Sequence, residues 1–383
     1  MSGTQVGPGI SMVEAQSDAL DRSDARLEAL GYRPEFRREM NLFAVVGMSF
    51  TAIGILTGMS SAFVTWTLRG RATGFVLGLE YLRALYVSCC IMLGRDLLGL
   101  SDDGRSVLLG IQNEERQACS WLRNGSFVCL RNDLYGYFGT ALYIASMAEV
   151  GTGITLTRVQ ITAMAWGVNL LSAIINTFGS RGIGTVAQVN VWWTLAGTII
   201  LVVTLLVKSP TKNSASFVFT DLENFTGWDN KGFVVLLGFL QAVYTLEGAE
   251  TSAQVAEEAR NAEWLAPIGI AASIVGSWFI GLIYLLALLF SIQSIPSVQN
   301  TSFAIPIAQL YYDAVGSRLT LLCLFVVGSC QFLAACTCFT ASSRLLYALA
   351  RDNAIPCKKA FMTLNRFQAP WVGVWSSAVV STS

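Results

Sequence analysis

The chain has 383 residues, of which 53% are hydrophobic and 13% charged, and its formal net charge is zero. Soluble domains carry about 25% charged residues, so this composition excludes an ordinary soluble protein. Histidine is absent, which excludes a Ser-His-Asp triad and a zinc site built on histidine. The nine cysteines form no CxxC pair. We therefore predict that the protein is not an enzyme and that it has no metal site, no cofactor and no nucleic-acid partner.

The apolar residues are gathered into segments long enough to cross a membrane. A transmembrane helix needs about 20 predominantly apolar residues, and helices satisfy their own backbone polar groups in lipid. The sequence therefore predicts an all-α polytopic membrane protein surrounded by membrane lipid. The predicted spans are, in chain order, 42–66, 134–157, 159–180, 183–207, 230–256 (interrupted), 265–292, 318–342 and 370–383 (incomplete).

Positive charges predict the orientation of these spans. Lysine and arginine accumulate in cytoplasmic loops, and here they lie before the first span and after the span 318–342. Residues 1–40 are therefore predicted to be a cytoplasmic tail, and residues 41–383 a membrane domain. For Arg181 to face the same side as the tail, one more crossing is needed between about residues 67 and 133.

That interval has an unusual composition. The best segment for the missing crossing is 75–100, but it contains Glu80, Arg83, Arg95 and Asp96. A charge at the centre of a span costs about 2.5–3.5 kcal/mol on insertion scales. A regular span here would need these charges to pair with one another or to reach the membrane surface.

The predicted span 230–256 contains the stretch YTLEGAE, which places acidic residues inside an apolar segment. Its uncharged part, residues 232–246, would extend about 22 Å as a helix, against a hydrocarbon core of about 30 Å. The span therefore needs the turns beyond Glu247, and Gly248 would permit the backbone to leave the helix. The alternative is that Glu247 and Glu250 form the polar end of a short tilted helix. Glu257 and Glu258 are interpreted as such a polar end.

Four segments together resemble a known family. They read LEALGYRPEFRREMNLFAVVGMSFTAIGILTGMSSAF, INTFGSRGIGTVAQVNVWW, LLGFLQAVYTLEGAETSAQVAEEARNAEWLAPIGI and FTASSRLLYALARDNAIP. They are similar to four regions of the fungal amino-acid/GABA/choline permeases of the amino acid–polyamine–organocation superfamily. These regions are the first span, the turn between the fourth and fifth spans, the sixth span, and the loop after the eighth span.

The resemblance implies a helix bundle of the LeuT type, built from inverted repeats. It also implies secondary transport of amino acids or small amines, such as GABA or choline, in the plasma or vacuolar membrane. The chain departs from the family pattern at 67–133, which we interpret as out-of-frame or non-coding sequence, and it stops inside the expected ninth span. The predicted fold is therefore truncated at its C-terminus. The alternative function is a membrane remnant of such a permease that does not transport.

The resemblance also implies a substrate site. In transporters with inverted repeats, substrates bind near the bilayer midplane at interrupted helices. In the first span this assigns substrate binding to Ile53, Gly54, Thr57 and Gly58, where exposed amides would receive a carboxylate. The alternative interpretation of the two glycines is close packing between helices.

The sixth span would supply the opposite side of the site. By the same resemblance, Tyr244 matches an aromatic gate, and Gly248 marks the interruption. Glu247 and Glu250 would face the amine of the substrate or a coupling proton. The expected partner is therefore a small molecule, an amino acid or an amine.

Overall fold

The structure is a computed structural model that describes residues 38, 40–61, 136–219, 230, 245, 247–259, 262–351, 355 and 357–382. Its regular elements are helices. Among the described residues, five helical segments are long and apolar enough to cross a membrane: 42–61, 158–177, 182–208, 264–291 and 317–351. The predicted all-α polytopic fold is confirmed. The interval 67–133 and Tyr244 lie outside the described residues, so the predictions made for them stay predictions.

The first span consists of two helices, α1 (Leu42–Ile53) and α2 (Ile55–Ser61). It begins where predicted because Asn41 caps α1, its side-chain oxygen accepting a hydrogen bond from the Ala44 amide at 2.9 Å. Gly54 separates the two helices. Residues 62–66 of the predicted span lie outside the described part.

The remaining helices follow in chain order. They are α3 (136–152), α4 (Arg158–Thr177), α5 (Gly179–Lys208), α6 (Ala215–Phe219), α7 (Thr251–Gln254), α8 (Ala262–Ser291), α9 (Ile295–Gln299), α10 (Pro306–Val315), α11 (Ser317–Arg351), α12 (Lys358–Phe361) and α13 (Trp371–Val380). A short 3-10 turn, Ala256–Glu258, follows α7.

Three predicted boundaries are wrong. The break between the predicted spans 159–180 and 183–207 lies earlier, at Phe178, because α5 begins at Gly179, which has φ of 79°. The predicted span 134–157 ends earlier, at residue 152, because Gly153 adopts a left-handed backbone with φ of 71°. The predicted span 318–342 is too short, since α11 continues to Arg351. Residues 343–351 contain neither glycine nor proline, so nothing in their local sequence ends the helix.

The first span lies at the centre of the bundle. Within its most apolar stretch 72% of the residues are buried, compared with 28% for α4. It packs against α5, α8 and α11, and Ile55 and Leu56 belong to the main buried cluster. Within the described part of the chain, the first span is therefore surrounded by protein, whereas much of α4 is exposed.

A buried amide fastens α4 to α11. The Asn176 side chain donates to the backbone oxygens of Ser172 and Cys336 at 2.9 and 3.1 Å, and it accepts from the Thr340 hydroxyl at 2.6 Å. Hydrogen bonds of this kind between helices contribute about 0.6–2 kcal/mol each in membranes. Asn176 thus positions α11, which forms one wall of the cavity described below.

Three segments carry the basic residues that are predicted to face the cytoplasm: the segment before α1, the junction of α4 with α5, and the connection after α11. They lie at one end of the bundle, here called the basic end. Before α1, the Met40 amide donates to the Glu258 backbone oxygen at 3.0 Å. At the junction of α4 with α5, the helix that contains Arg181, the Asn365 side chain donates to the Thr177 backbone oxygen at 2.8 Å. These contacts agree with the charge argument, which requires the segments to lie on one side. That this side is cytoplasmic stays a prediction.

We expect Asn176→Leu to lower the thermal stability of the detergent-solubilised protein by about 1–3 kcal/mol, because the volume is kept while buried polar partners lose their hydrogen bonds. Thr162→Val is the matched control, since the Thr162 hydroxyl donates only within α4, to the Arg158 backbone oxygen. Thermal unfolding of both variants measures the difference. Equal melting temperatures would show that the Asn176 contact does not hold α4 to α11.

Candidate substrate site between the two interrupted helices

The first span is interrupted at Gly54. Its backbone is left-handed there, with φ of 53° and ψ of 50°, a conformation that glycine adopts without strain. The hydrogen-bond ladder restarts with the Gly58 amide, which donates to the Gly54 oxygen at 2.8 Å. Amides in the first turn of a helix have no partner inside that helix, so the start of α2 presents backbone donors.

The second interruption lies in the stretch predicted for the sixth span. Residues 247–250 form turns and α7 begins only at Thr251. Gly248 has φ of 96°, a backbone angle that residues with a side chain rarely adopt. The acidic residues Glu247 and Glu250 therefore sit on a turn between the preceding segment and α7.

The two interruptions touch each other. A Cβ atom added at Gly248 would lie 2.9 Å from the carbonyl carbon and oxygen of Ala52. A Cβ atom added at Gly58 would lie 2.9 Å from the Thr245 methyl group. A side chain at Gly248 would meet the Ala52 backbone, and one at Gly58 would meet the Thr245 side chain, so glycine permits the close approach on both sides.

Ser49 ties α1 to the second interruption. Its hydroxyl donates to the Ala249 backbone oxygen at 2.6 Å and accepts from the Ser252 amide at 2.8 Å. The Ser252 hydroxyl in turn donates to the Val45 backbone oxygen at 2.9 Å. The Ala249 oxygen and the Ser252 amide thus find hydrogen-bond partners on α1. These bonds fix the relative position of the two interruptions.

A cavity of about 270 Å³ lies at the junction of the breaks. The structure places seven of the eight predicted site residues on its wall; the eighth, Tyr244, lies outside the described residues. The seven are Ile53, Gly54, Thr57, Gly58, Glu247, Gly248 and Glu250.

Other walls of the cavity are formed by residues that the sequence did not assign to the site. They come from α3, through Gly136 and Gly139, and from α11, through Gln331, Cys338 and Ser342. A Cβ atom at Gly136 would lie 2.9 Å from the Ala335 Cβ, so the paired glycines allow α3 to approach α11. Two sequence signals could have indicated this wall, namely the GxxG spacing in α3 and the polar residues in the apolar helix α11.

The cavity has an uneven charge distribution. Glu247 and Glu250 lie on its wall, while its described lining contains no lysine or arginine. The start of α2 also lines the cavity, and the first turn of a helix supplies backbone amides and the positive end of a helix dipole. The arrangement is complementary to a ligand with an ammonium group at one end and an acceptor group at the other.

A helix interrupted at Gly54 and a glycine turn at Gly248 meet at a cavity in an apolar bundle, an arrangement similar to the substrate sites of secondary transporters. The chain belongs to the amino acid permease family, because the sequence profile described as "Amino acid permease" matches residues 119–383. The predicted family is thereby confirmed. Its members are permeases, which also supports the prediction of a transporter rather than an enzyme.

Individual relatives cover most of the chain. The "Amino-acid permease BAT1 homolog" of Oryza sativa subsp. japonica is 25% identical, over 94% of this chain and 74% of its own length. The "Amino-acid permease BAT1" of Arabidopsis thaliana is 25% identical with the same coverage. The "GABA-specific permease" of Saccharomyces cerevisiae is 24% identical, over 93% of this chain and 64% of its own.

A solved structure has a similar fold. It is the substrate-bound, outward-open state of a Na⁺-coupled sialic acid symporter, with a TM-score of 0.51 and 14% sequence identity. The superposition covers 91% of this chain and 73% of the symporter chain. At this identity the likeness shows the fold alone.

We expect Gly248→Ala to destabilise the protein by about 1–3 kcal/mol, since the methyl group meets the Ala52 carbonyl and the backbone is strained at positive φ. Gly167→Ala is the control, because a Cβ atom at Gly167 has nothing within 4 Å. Thermal unfolding of the purified protein measures both changes. A melting temperature of Gly248→Ala equal to that of Gly167→Ala would contradict the contact between the breaks.

Proposed function

We propose that the protein is a secondary transporter of amino acids or small amines, such as GABA or a choline-like amine. Transport occurs by alternating access around the two interrupted helices. The observation that carries this proposal is the meeting of both interruptions on one cavity, at Gly54 and Gly248. Membership in the amino acid permease family supports the same function.

The proposed substrate binds with its two ends on opposite breaks. Amides at the start of α2, between Gly54 and Gly58, receive the carboxylate of an amino acid. Glu247 and Glu250, which are exposed and line the cavity, attract the ammonium group by their opposite charge. The cavity of about 270 Å³ suits a small ligand, since pockets for drug-sized molecules measure about 300–1,000 Å³.

The same carboxylates are the proposed carriers of a coupling proton. Glu250 precedes α7, and its carboxylate faces the cavity together with that of Glu247. Burial and nearby charges change the affinity of a carboxylate for a proton. A carboxylate that faces water in one state and a ligand in the other can therefore take up and release a proton. The basic end is proposed to face the cytoplasm, in the plasma or vacuolar membrane.

Uptake of radiolabelled amino acids, GABA and choline by cells that express this chain tests the proposal. We expect saturable uptake of at least one of these compounds. We expect Glu250→Gln to raise the KM for an amine substrate about 10- to 100-fold, because a hydrogen bond to a charged group contributes about 1.5–3 kcal/mol. Glu149→Gln is the matched control, as Glu149 lies on α3 but does not line the cavity.

Two results would overturn the proposal. One is the absence of saturable uptake by a chain that is folded and present in the membrane, which favours a non-transporting remnant. The other is an equal effect of Glu250→Gln and Glu149→Gln on KM, which places substrate recognition away from the cavity.

A further inference from the structure

Gln254 lines the substrate cavity together with Glu250. It is the last residue of the short helix α7, and Glu250 directly precedes that helix. The Gln254 backbone amide donates to the Glu250 backbone oxygen at 3.3 Å. The two residues therefore lie one helical turn apart on the cavity wall, separated by about 6 Å along the helix axis.

The side-chain amide of Gln254 has an acceptor that the fold does not use. Its oxygen is buried and has no hydrogen-bond partner among the described residues. By contrast, the Ser252 hydroxyl of the same helix donates to the Val45 backbone oxygen at 2.9 Å. A buried acceptor without a donor costs free energy, because its bonds to water are lost and not replaced. A ligand in the cavity is a partner that would recover this loss.

A small rotation makes the oxygen available to a ligand. The last torsion of a glutamine side chain, between its methylene group and its amide, has broad minima. Since no partner among the described residues holds the oxygen in place, the amide turns toward the cavity at little cost. An N–H group of a ligand then supplies the missing donor.

The charges around the cavity favour a cationic donor at this position. Apart from two glutamates, the described lining is uncharged, including Ser342 on α11. Arg344, two residues further along α11, does not line the cavity, since its guanidinium group is buried against the Glu258 carboxylate at 2.8 Å. The interpretation of Glu258 as a polar helix end is therefore wrong. A second ammonium group in the cavity would meet no cation on its described wall.

We propose that Gln254 is a further substrate-binding residue, which selects compounds with a second N–H donor about 6 Å from the ammonium group held by Glu250. Ornithine and 1,4-diaminobutane are such compounds, because an extended chain of five single bonds, each about 1.5 Å long, joins their two nitrogens. A compound with a methyl group at that place leaves the buried oxygen unpaired and binds more weakly. This inference rests on the proposed function, from which it takes the role of Glu250.

Two matched pairs of ligands test the proposal on the purified full chain. Ornithine is compared with norleucine, and 1,4-diaminobutane with pentylamine, so that in each pair a methyl group replaces the second ammonium group. The rise of the melting temperature with ligand concentration gives the Kd of each compound. We expect the diamino member of each pair to bind about 10- to 100-fold more tightly, because hydrogen bonds from a charged donor are strong.

Variants of Gln254 separate its amide from the general attraction of the cavity for cations. We expect Gln254→Met to lower the preference for the diamino member about tenfold in both pairs. Gln254→Glu keeps an acceptor at the same place and retains the preference. Gln188→Met is the matched control, since Gln188 is a half-buried residue of α5 that does not line the cavity, and it leaves the preference at the parent value. Equal binding of both members by the parent, or an unchanged preference in Gln254→Met, overturns the proposal.

Folding and transport are measured separately. The Gln254 oxygen loses no hydrogen bond in Gln254→Met, so we expect the melting temperature without ligand to stay the same or rise. A lower melting temperature with an unchanged preference assigns Gln254 to packing and contradicts the proposal. Binding does not depend on transport. Selective binding by a parent chain without saturable uptake would keep this inference and reject the transport function, whereas saturable uptake without any preference would reject this inference alone.

Discussion

Backbone groups released from a helix inside a membrane must find partners, because lipid offers none. Here the partners come from a second interruption in contact with the first. The Ser49 hydroxyl serves both the Ala249 oxygen and the Ser252 amide, and Gly248 lets the turn approach the Ala52 carbonyl. The contact between the breaks is the constraint on which the cavity depends, since it leaves backbone donors and carboxylates facing the same space.

Contacts among the surrounding helices stabilise this arrangement. The first span is buried in the middle of the bundle, and α3 comes close to α11 because Gly136 has no side chain. Asn176 holds α4 to the opposite part of α11. Glu258 and Arg344 form a buried ion pair between the segment after α7 and α11.

The interruption at Gly248 was predicted from a local pattern, since acidic residues stand beside a glycine within an apolar segment. The interruption at Gly54 was expected only from the resemblance to the permease family, because Gly54 and Gly58 one turn apart fit close helix packing equally well. The walls from α3 and α11 carry signals in the sequence, namely the GxxG spacing and the polar residues of α11, but these signals do not show which helices become neighbours. Glu258 illustrates the same limit: whether a carboxylate at a helix end meets water or Arg344 is decided by packing over 86 residues.

The most direct test of the account is an experimentally determined structure of the protein with a transported amino acid or amine bound. The account predicts that the ligand occupies the space between the breaks. Its acceptor end would lie within hydrogen-bond distance of the amides between Gly54 and Gly58, and its ammonium group beside Glu247 or Glu250. A ligand bound elsewhere, or a continuous helix through Leu42–Ser61, would contradict it.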